Sequence, residues 1–264
     1  MSARRRHQAH RARHQGYGTG VMLTLLLFLL AVGGMSWVYR GMVSHERWPI
    51  RWLEVDGEFE RVGAEQVRAA VSPLVDESYF TVDLNEVSAA ARRLPWVADA
   101  MAIKHWPDTV RVEIREHEAV AHWDDGHSDN LMVSRDARLF EVAGAASMQG
   151  LPWLAGPTDR HEDVFRQWHA FNDQLEPVGL RVERLELDAR GAWTVGLSNG
   201  TRVALGRRDA SRRLARTVRA WGALVAAEGM APLRVDARYA NGLAVRWPVI
   251  EETEAGEALA LLDR

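Results

Sequence analysis

The stretch His122-Trp123-Asp124-Asp125-Gly126-His127 gathers two imidazoles and two carboxylates in six residues, a donor set that could hold a metal such as zinc. Asp-Asp-Gly between apolar runs is also the ordinary composition of a turn, where only exposed polar groups are needed. The turn is the expectation. His105 and His117 flank a strand whose other charges face solvent, so both are expected at the surface rather than in proton transfer. Ser134 and Asp136 lie near His122 without the strand-turn-helix context that exposes a nucleophilic hydroxyl. The 264 residues include no cysteine, which removes disulfides, thiol catalysis and thiolate-held metals together. No catalytic residue, cofactor-binding residue or metal ligand is therefore expected, and no enzyme activity.

Arginine offers chemistry of another kind. In the run Gly206 to Trp221, "GRRDASRRLARTVRAW", a helical step of about 100° puts Arg212, Arg216 and Arg219 within roughly 60° of one another. Leu214, Val218, Trp221 and Val225 fall nearly opposite. The spacing predicts a helix with a positive stripe on its exposed face. The formal net charge is −3, so no general basic excess argues for nucleic acid. The stripe reads either as a solvated face or as a surface for an acidic protein or anionic headgroups.

The elements that would position these groups begin with a membrane segment. Gly20 to Tyr39 carries no charge over twenty residues; at about 1.5 Å per residue it spans a hydrocarbon core of roughly 30 Å. Arg4, Arg5, Arg6, Arg11 and Arg13 precede it without an acid, whereas Arg40, Glu46, Arg47 and Arg51 follow, so the arginine bias orients the N-terminus to the cytoplasm. A cleaved signal peptide competes, but its apolar region is usually about 7–15 residues long, and Ala31, Gly33 and Ser36 make a weak cleavage site. Residues 1–19 are expected as a cytoplasmic tail and 20–39 as a retained helix.

Residues 50–118 read as strand, helix, helix, strand, strand. "IRWLEVDG" is a strand ending at Gly57. Val67, Ala70, Val71 and Leu74 recur at helical spacing until Pro73 is expected to stop them. Asp83 with Glu86 has the form of a capping box before the stripe Leu84, Val87, Ala91 and Leu94, which Pro95 ends. Val97 to Trp106 and Thr109 to Glu116 form a hairpin through "WPDT". Within it Val110, Val112 and Ile114 alternate with Arg111, Glu113 and Arg115, as a sheet covered on one side requires.

From 119 to 249 the pattern turns mainly β. Leu185, Leu187, Trp193, Val195, Leu197, Val203 and Leu205 alternate around Asn199-Gly200, a strong hairpin signal. A second hairpin is expected over "LRVDARYANGLAVRWPV", with Leu233, Val235, Ala237 and Tyr239 alternating against Arg234, Asp236 and Arg238, and with Asn241-Gly242 at the turn. Val164, Trp168, Phe171 and Leu175 predict one interrupting helix; the arginine run supplies the other. Residues 250–264 are expected as a mobile tail. The fold class is α+β: one membrane helix, a β-α-α-β-β domain, then a mainly antiparallel β domain with flanking helices.

The β-α-α-β-β order together with "LEVDG", "RRLPWVADAMAIKHWPDTVRVEIRE" and "AVAHW" resembles the POTRA domain of the bacterial cell-division family FtsQ/DivIB, and the order of parts around it is similar to that family's. The resemblance implies a non-catalytic inner-membrane scaffold of the divisome at the septum, its bulk periplasmic. It implies FtsB and FtsL as partners bearing on septal peptidoglycan synthesis, with FtsW/FtsI, FtsK and FtsA as further candidates and weak self-association. The segment Leu243 to Trp247 would be an edge strand, and the "RYxxGxAVxW"-like pattern would place Arg238, Tyr239, Asn241, Gly242 and Trp247 at the FtsB contact. Arg190, Arg212 and Arg216 would pair with acids on the coiled coil, and Lys104 would lie on a recruitment face. A POTRA-bearing factor of polypeptide transport or outer-membrane assembly is the alternative, but neither POTRA repeats nor a β-barrel pattern is apparent.

Overall fold

The computed structural model of the chain describes residues 16–44 and 48–248. The arginines upstream of the apolar segment, Arg47, and the tail expected at 250–264 lie outside them. The first helix, α1, runs Gly16–Val43. Its stretch Gly20–Val43 is apolar and long enough to cross a membrane, with none of its most apolar window buried against the protein. That fits a single-pass anchor, because a helix apolar all round finds its solvent in lipid. The chain divides into two compact units between Glu116 and His117.

After α1, the first unit contains β1 (Trp52–Gly57), α2 (Ala64–Val75), α3 (Leu84–Ala91), β2 (Val97–His105) and β3 (Thr109–Glu116). This is the order expected. β3 is central, parallel to β1 and antiparallel to β2. The period-two reading of β3 holds: Val110 and Val112 are fully buried and Ile114 nearly so, in one core with Val67, Val71, Val87 and Ala91. On the opposite face Arg111 pairs with Glu54 of β1 at 2.9 Å. The Asp83 carboxylate accepts from the N–H groups of Asn85 and Glu86, capping α3. Pro73 does not end α2, which continues to Val75; the ring forfeits only its own bond to the Ala69 carbonyl one turn back and leaves the residues after it free to stay helical. The Ser88 hydroxyl donates to the Leu84 carbonyl and accepts from Ala102 N at 2.9 Å, tying the β2 edge to α3.

The second unit holds β4 (Ala119–Asp124), β5 (Leu131–Ser134), β6 (Leu139–Glu141), β7 (Trp153–Ala155), α4 (His161–Leu175), β8 (Val182–Leu187), β9 (Trp193–Leu197), β10 (Arg202–Gly206), α5 (Ala210–Glu228), β11 (Arg234–Asp236) and β12 (Ala244–Arg246). They form a nine-stranded sheet in the order β12-β11-β10-β9-β8-β7-β4-β5-β6. Most neighbours are antiparallel, but β4 with β7, β7 with β8, and β10 with β11 are parallel. Two of these pairs follow from the helices: α4 joins β7 to β8 and α5 joins β10 to β11, and a helical crossover returns the chain in the direction it left. Val164, Phe171 and Leu175 of α4 and Leu214 and Trp221 of α5 join Leu185, Val195, Val203 and Val235 of the sheet in one core. Asn199-Gly200 turns β9 into β10 as expected, with Gly200 at φ 84°. Asn241-Gly242 does not make the tight turn expected. The β11–β12 register pairs Asp236 with Ala244, leaving residues 237–243 as an open connection.

Candidate partner-binding interface

The histidine-aspartate stretch is structural. His122 is 1% exposed, its Nε2 lies 2.9 Å from the Met148 carbonyl, and its ring stacks on Trp153 at 4.4 Å. Asp124 pairs with Arg184 at 2.7 Å. Asp125 accepts from the N–H groups of His127 and Ser128, which hold its carboxyl below the ordinary range and make the segment a turn. Among the described residues no cluster of three or more metal-ligating side chains occurs. The Ser134 hydroxyl accepts from the N–H of Arg138 in the β5–β6 turn.

One end of the nine-stranded sheet carries different features. β12 is its outer strand, paired to β11 on one side and, among the described residues, to no strand on the other, so alternate backbone donors and acceptors face outward. The connection 237–243 that feeds it has no ladder of its own. Arg216 of α5 supplies the missing partners: its guanidinium donates to the carbonyls of Ala237 at 2.8 Å, Tyr239 at 2.7 Å and Ala240 at 2.6 Å. Arg216 thus departs from the exposed stripe expected of it. It is half-buried, its Nε is enclosed without a partner, and its terminal N–H donors are spent on the backbone of its own chain.

Pinned in this way, Tyr239 projects with 60% of its surface exposed. Strand β11 ends at Asp236, so Tyr239 does not continue the buried alternation of Val235 and Ala237. Arg238 is gripped by Asp236, with contacts of 2.6 to 3.1 Å that hold the Asp236 carboxyl low and the guanidinium pKa high. Beneath it passes Gly206, at φ 73°, where a Cβ would stand 3.1 Å from Arg238 Cγ and 2.9 Å from Arg213 Nη1. The positive φ favours glycine there, and any side chain would also press the two arginines aside. Asn241 and Gly242 are exposed, while Trp247 is half-buried with its indole N–H enclosed and unpartnered.

Arg190 lies in the β8–β9 turn, beside the Leu187–Trp193 pair. Trp193 in turn faces Gly206, and Ala204 faces Asp236, so Arg190 and Arg238 share one end of the sheet. Arg207 and Arg208, which periodicity passed over because they precede the helix, stand at the same end with Arg212 at the start of α5. The guanidinium groups of Arg190, Arg207, Arg208 and Arg212 are exposed, and no acid among the described residues pairs with them. The signal for Arg207 and Arg208 in the sequence is their position directly after Gly206, which ends β10. The arrangement offers an exposed phenol, an open strand edge and uncompensated cations, the chemistry of a site for an acidic, strand-forming peptide.

Lys104 belongs to the first unit and is not a free surface cation. Its ammonium lies 5.7 Å over the Tyr79 ring and 3.5 Å from the Phe80 carbonyl, and burial lowers its pKa despite the nearby Asp83 carboxylate.

Comparison with known proteins fits this division of the chain. Residues 48–117 match the family described as POTRA domain, FtsQ-type, and residues 121–238 match Cell division protein FtsQ/DivIB, C-terminal. The chain is 39% identical over 228 residues to the cell division protein FtsQ of Xanthomonas campestris pv. campestris, covering 84% of this chain and 80% of that protein. It is 33% identical to FtsQ of Allochromatium vinosum (84% and 87% covered) and 31% identical to FtsQ of Burkholderia pseudomallei (89% and 92% covered). The chain belongs to the FtsQ/DivIB family of cell-division proteins.

Proposed function

We propose that this division protein is a membrane-anchored scaffold that captures FtsB, paired with FtsL, on the open β12 edge, and through them bears on septal peptidoglycan synthesis by FtsW/FtsI. The observation that carries the reading is Tyr239, exposed beside an open strand and held there by Arg216. An incoming strand gains main-chain hydrogen bonds along β12, Tyr239 supplies a rigid aromatic anchor, and Arg190, Arg207, Arg208 and Arg212 attract acids on the partner. Arg238 is oriented by Asp236 and shares its charge with any partner acid. Trp247, Asn241 and Gly242 flank the edge, Trp247 as support rather than as an exposed anchor. In the same reading α1 crosses the inner membrane with its N-terminus in the cytoplasm, within reach of FtsA, and the two units are periplasmic at the septum. Lys104 is assigned to the recruitment face that meets partners such as FtsK.

A photo-crosslinking amino acid tests the edge directly. Placed at Arg246 of β12 in dividing cells it should give an adduct with FtsB; placed at Glu141 of β6 it should not. Equal yields from the two positions, or none from Arg246, overturn the assignment.

A further inference from the structure

In the first unit, four of the five large apolar side chains exposed beyond α1 gather at one end; the fifth, Met101, lies midway along β2. Trp106, at the tip of the β2–β3 hairpin, is 73% exposed and Trp52, at the start of β1, is 65% exposed; Phe80 and Trp48 are each exposed by more than a third. The register sets Trp52 opposite Thr109, just past the tip, and the N–H groups of Arg51 and Trp52 both donate to the Asp108 carbonyl. Lys104, two residues before Trp106, reaches the Phe80 carbonyl, and the Phe80 and Trp48 rings meet edge to face at 5.4 Å. Four aromatics from three separate segments therefore share an end.

It is also the end fastened to α1. The buried Ser78 hydroxyl donates to the Met42 carbonyl in the last turn of that helix at 2.7 Å, and the next residue, Tyr79, donates its N–H to the Trp48 carbonyl at 2.9 Å. The apolar stretch Gly20–Val43 has 24 residues, about 36 Å of helix against a hydrocarbon core of roughly 30 Å. With the core filled, Met42 stands at headgroup level, and Ser78, Phe80 and Trp48 stand there with it.

The geometry points to a second membrane contact: this end of the β-α-α-β-β unit rests on the bilayer surface, with Trp48, Trp52, Phe80 and Trp106 seated among the lipid headgroups. Aromatic rings with an apolar body and a polar tip favour that layer, whereas exposed to water such a cluster is unusual on a soluble surface. Attraction to anionic lipid is not the driving force. Arg51 lies 3.9 Å from Asp108, and Asp76 and Glu77 adjoin Ser78, so the rim carries no cationic excess. The contact should form on zwitterionic phosphatidylcholine and resist salt. It goes beyond partner capture and rests only on α1 as the anchor.

The cysteine-free sequence allows single labels. The full chain is placed in phosphatidylcholine nanodiscs carrying a fluorophore at Met42→Cys, His105→Cys or Glu58→Cys, and quenching by headgroup-spin-labelled lipid is measured. Strong quenching is expected at 42 and 105 and several-fold weaker quenching at 58, because β1 and β3 run away from the tip and β3 alone, eight residues, covers roughly 25 Å. Adding Trp52→Ser and Trp106→Ser to the His105→Cys chain should relieve its quenching several-fold without moving the melting temperature, since both rings are exposed. Quenching at 42 but not at 105 overturns the contact and leaves the aromatic end to a protein partner. No quenching at 42 removes the anchor and the contact with it. Quenching at 105 that survives the double substitution denies the aromatics their role.

Discussion

β6 and β12 close opposite ends of the same sheet with three residues each, and among the described residues both leave a strand edge unpaired. They differ in what surrounds the edge. At β6 the aromatic, Phe140, is buried at 8% exposure and stacked on His117 at 4.2 Å, and a short turn from Ser134 to Leu139 finishes the strand. At β12 the aromatic, Tyr239, is exposed, the connection before it is fixed by a guanidinium from a helix, and around it stand arginines that no acid among the described residues pairs with. An open edge by itself does not make a binding site. In the proposed function an edge with a projecting anchor on a pinned segment does, because the cost of ordering that segment is met in folding rather than at binding.

The largest effect is expected at the β6 end. Phe140→Ala should cost roughly 3–5 kcal/mol of stability, read by denaturant unfolding, while the folded fraction binds FtsB as the parent does; lost affinity without lost stability would make β6 the working edge. Next is the pin. Arg216→Ala should speed amide exchange at residues 238–242 in the protein without partner and cost about 1–3 kcal/mol, with FtsB affinity falling although Arg216 reaches no partner. If Arg216 instead pairs with an acid on FtsB, exchange in the free protein stays unchanged and reversing that acid rescues Arg216→Glu. Smaller again is the double variant Arg190→Glu, Arg212→Glu, expected to slow association about tenfold at low salt, the gap closing as salt rises.

The smallest effect concerns Asp236. Its folded pKa is depressed, chiefly by the Arg238 hydrogen bond, so the stability it contributes is present above the ordinary carboxylate pKa and is lost as pH falls through the depressed value. Asp236→Asn should therefore lie less than about 1 kcal/mol below the parent at pH 7, Arg238 being largely exposed, and converge with it in acid. A gap that widens on acidification would contradict the pairing.

The local parts of this design were legible in residue order. The two-faced β3, the Asp83 cap and the buried stripes of α4 and α5 depend on neighbours two to four residues away, and the structure has each of them. The parallel neighbours β4, β7 and β8 were not legible, because strand order depends on contacts between distant segments that no local period records. Arg216 departs from its spacing for the same reason: helical periodicity places it on an outer stripe, but its acceptors are carbonyls 21 to 24 residues downstream. Trp106 read as part of a turn, which it is, and nothing in its spacing announced that Trp48, Trp52 and Phe80 would gather at the same end.

The most direct test is Tyr239→Ala in the full chain, with FtsB affinity and melting temperature measured on the same preparation. The exposed anchor predicts a loss of about ten- to a hundredfold in affinity, or about 1.4–2.8 kcal/mol, with the melting temperature of the parent. Unchanged affinity, or a fall in stability of the size expected for a buried aromatic, would contradict it.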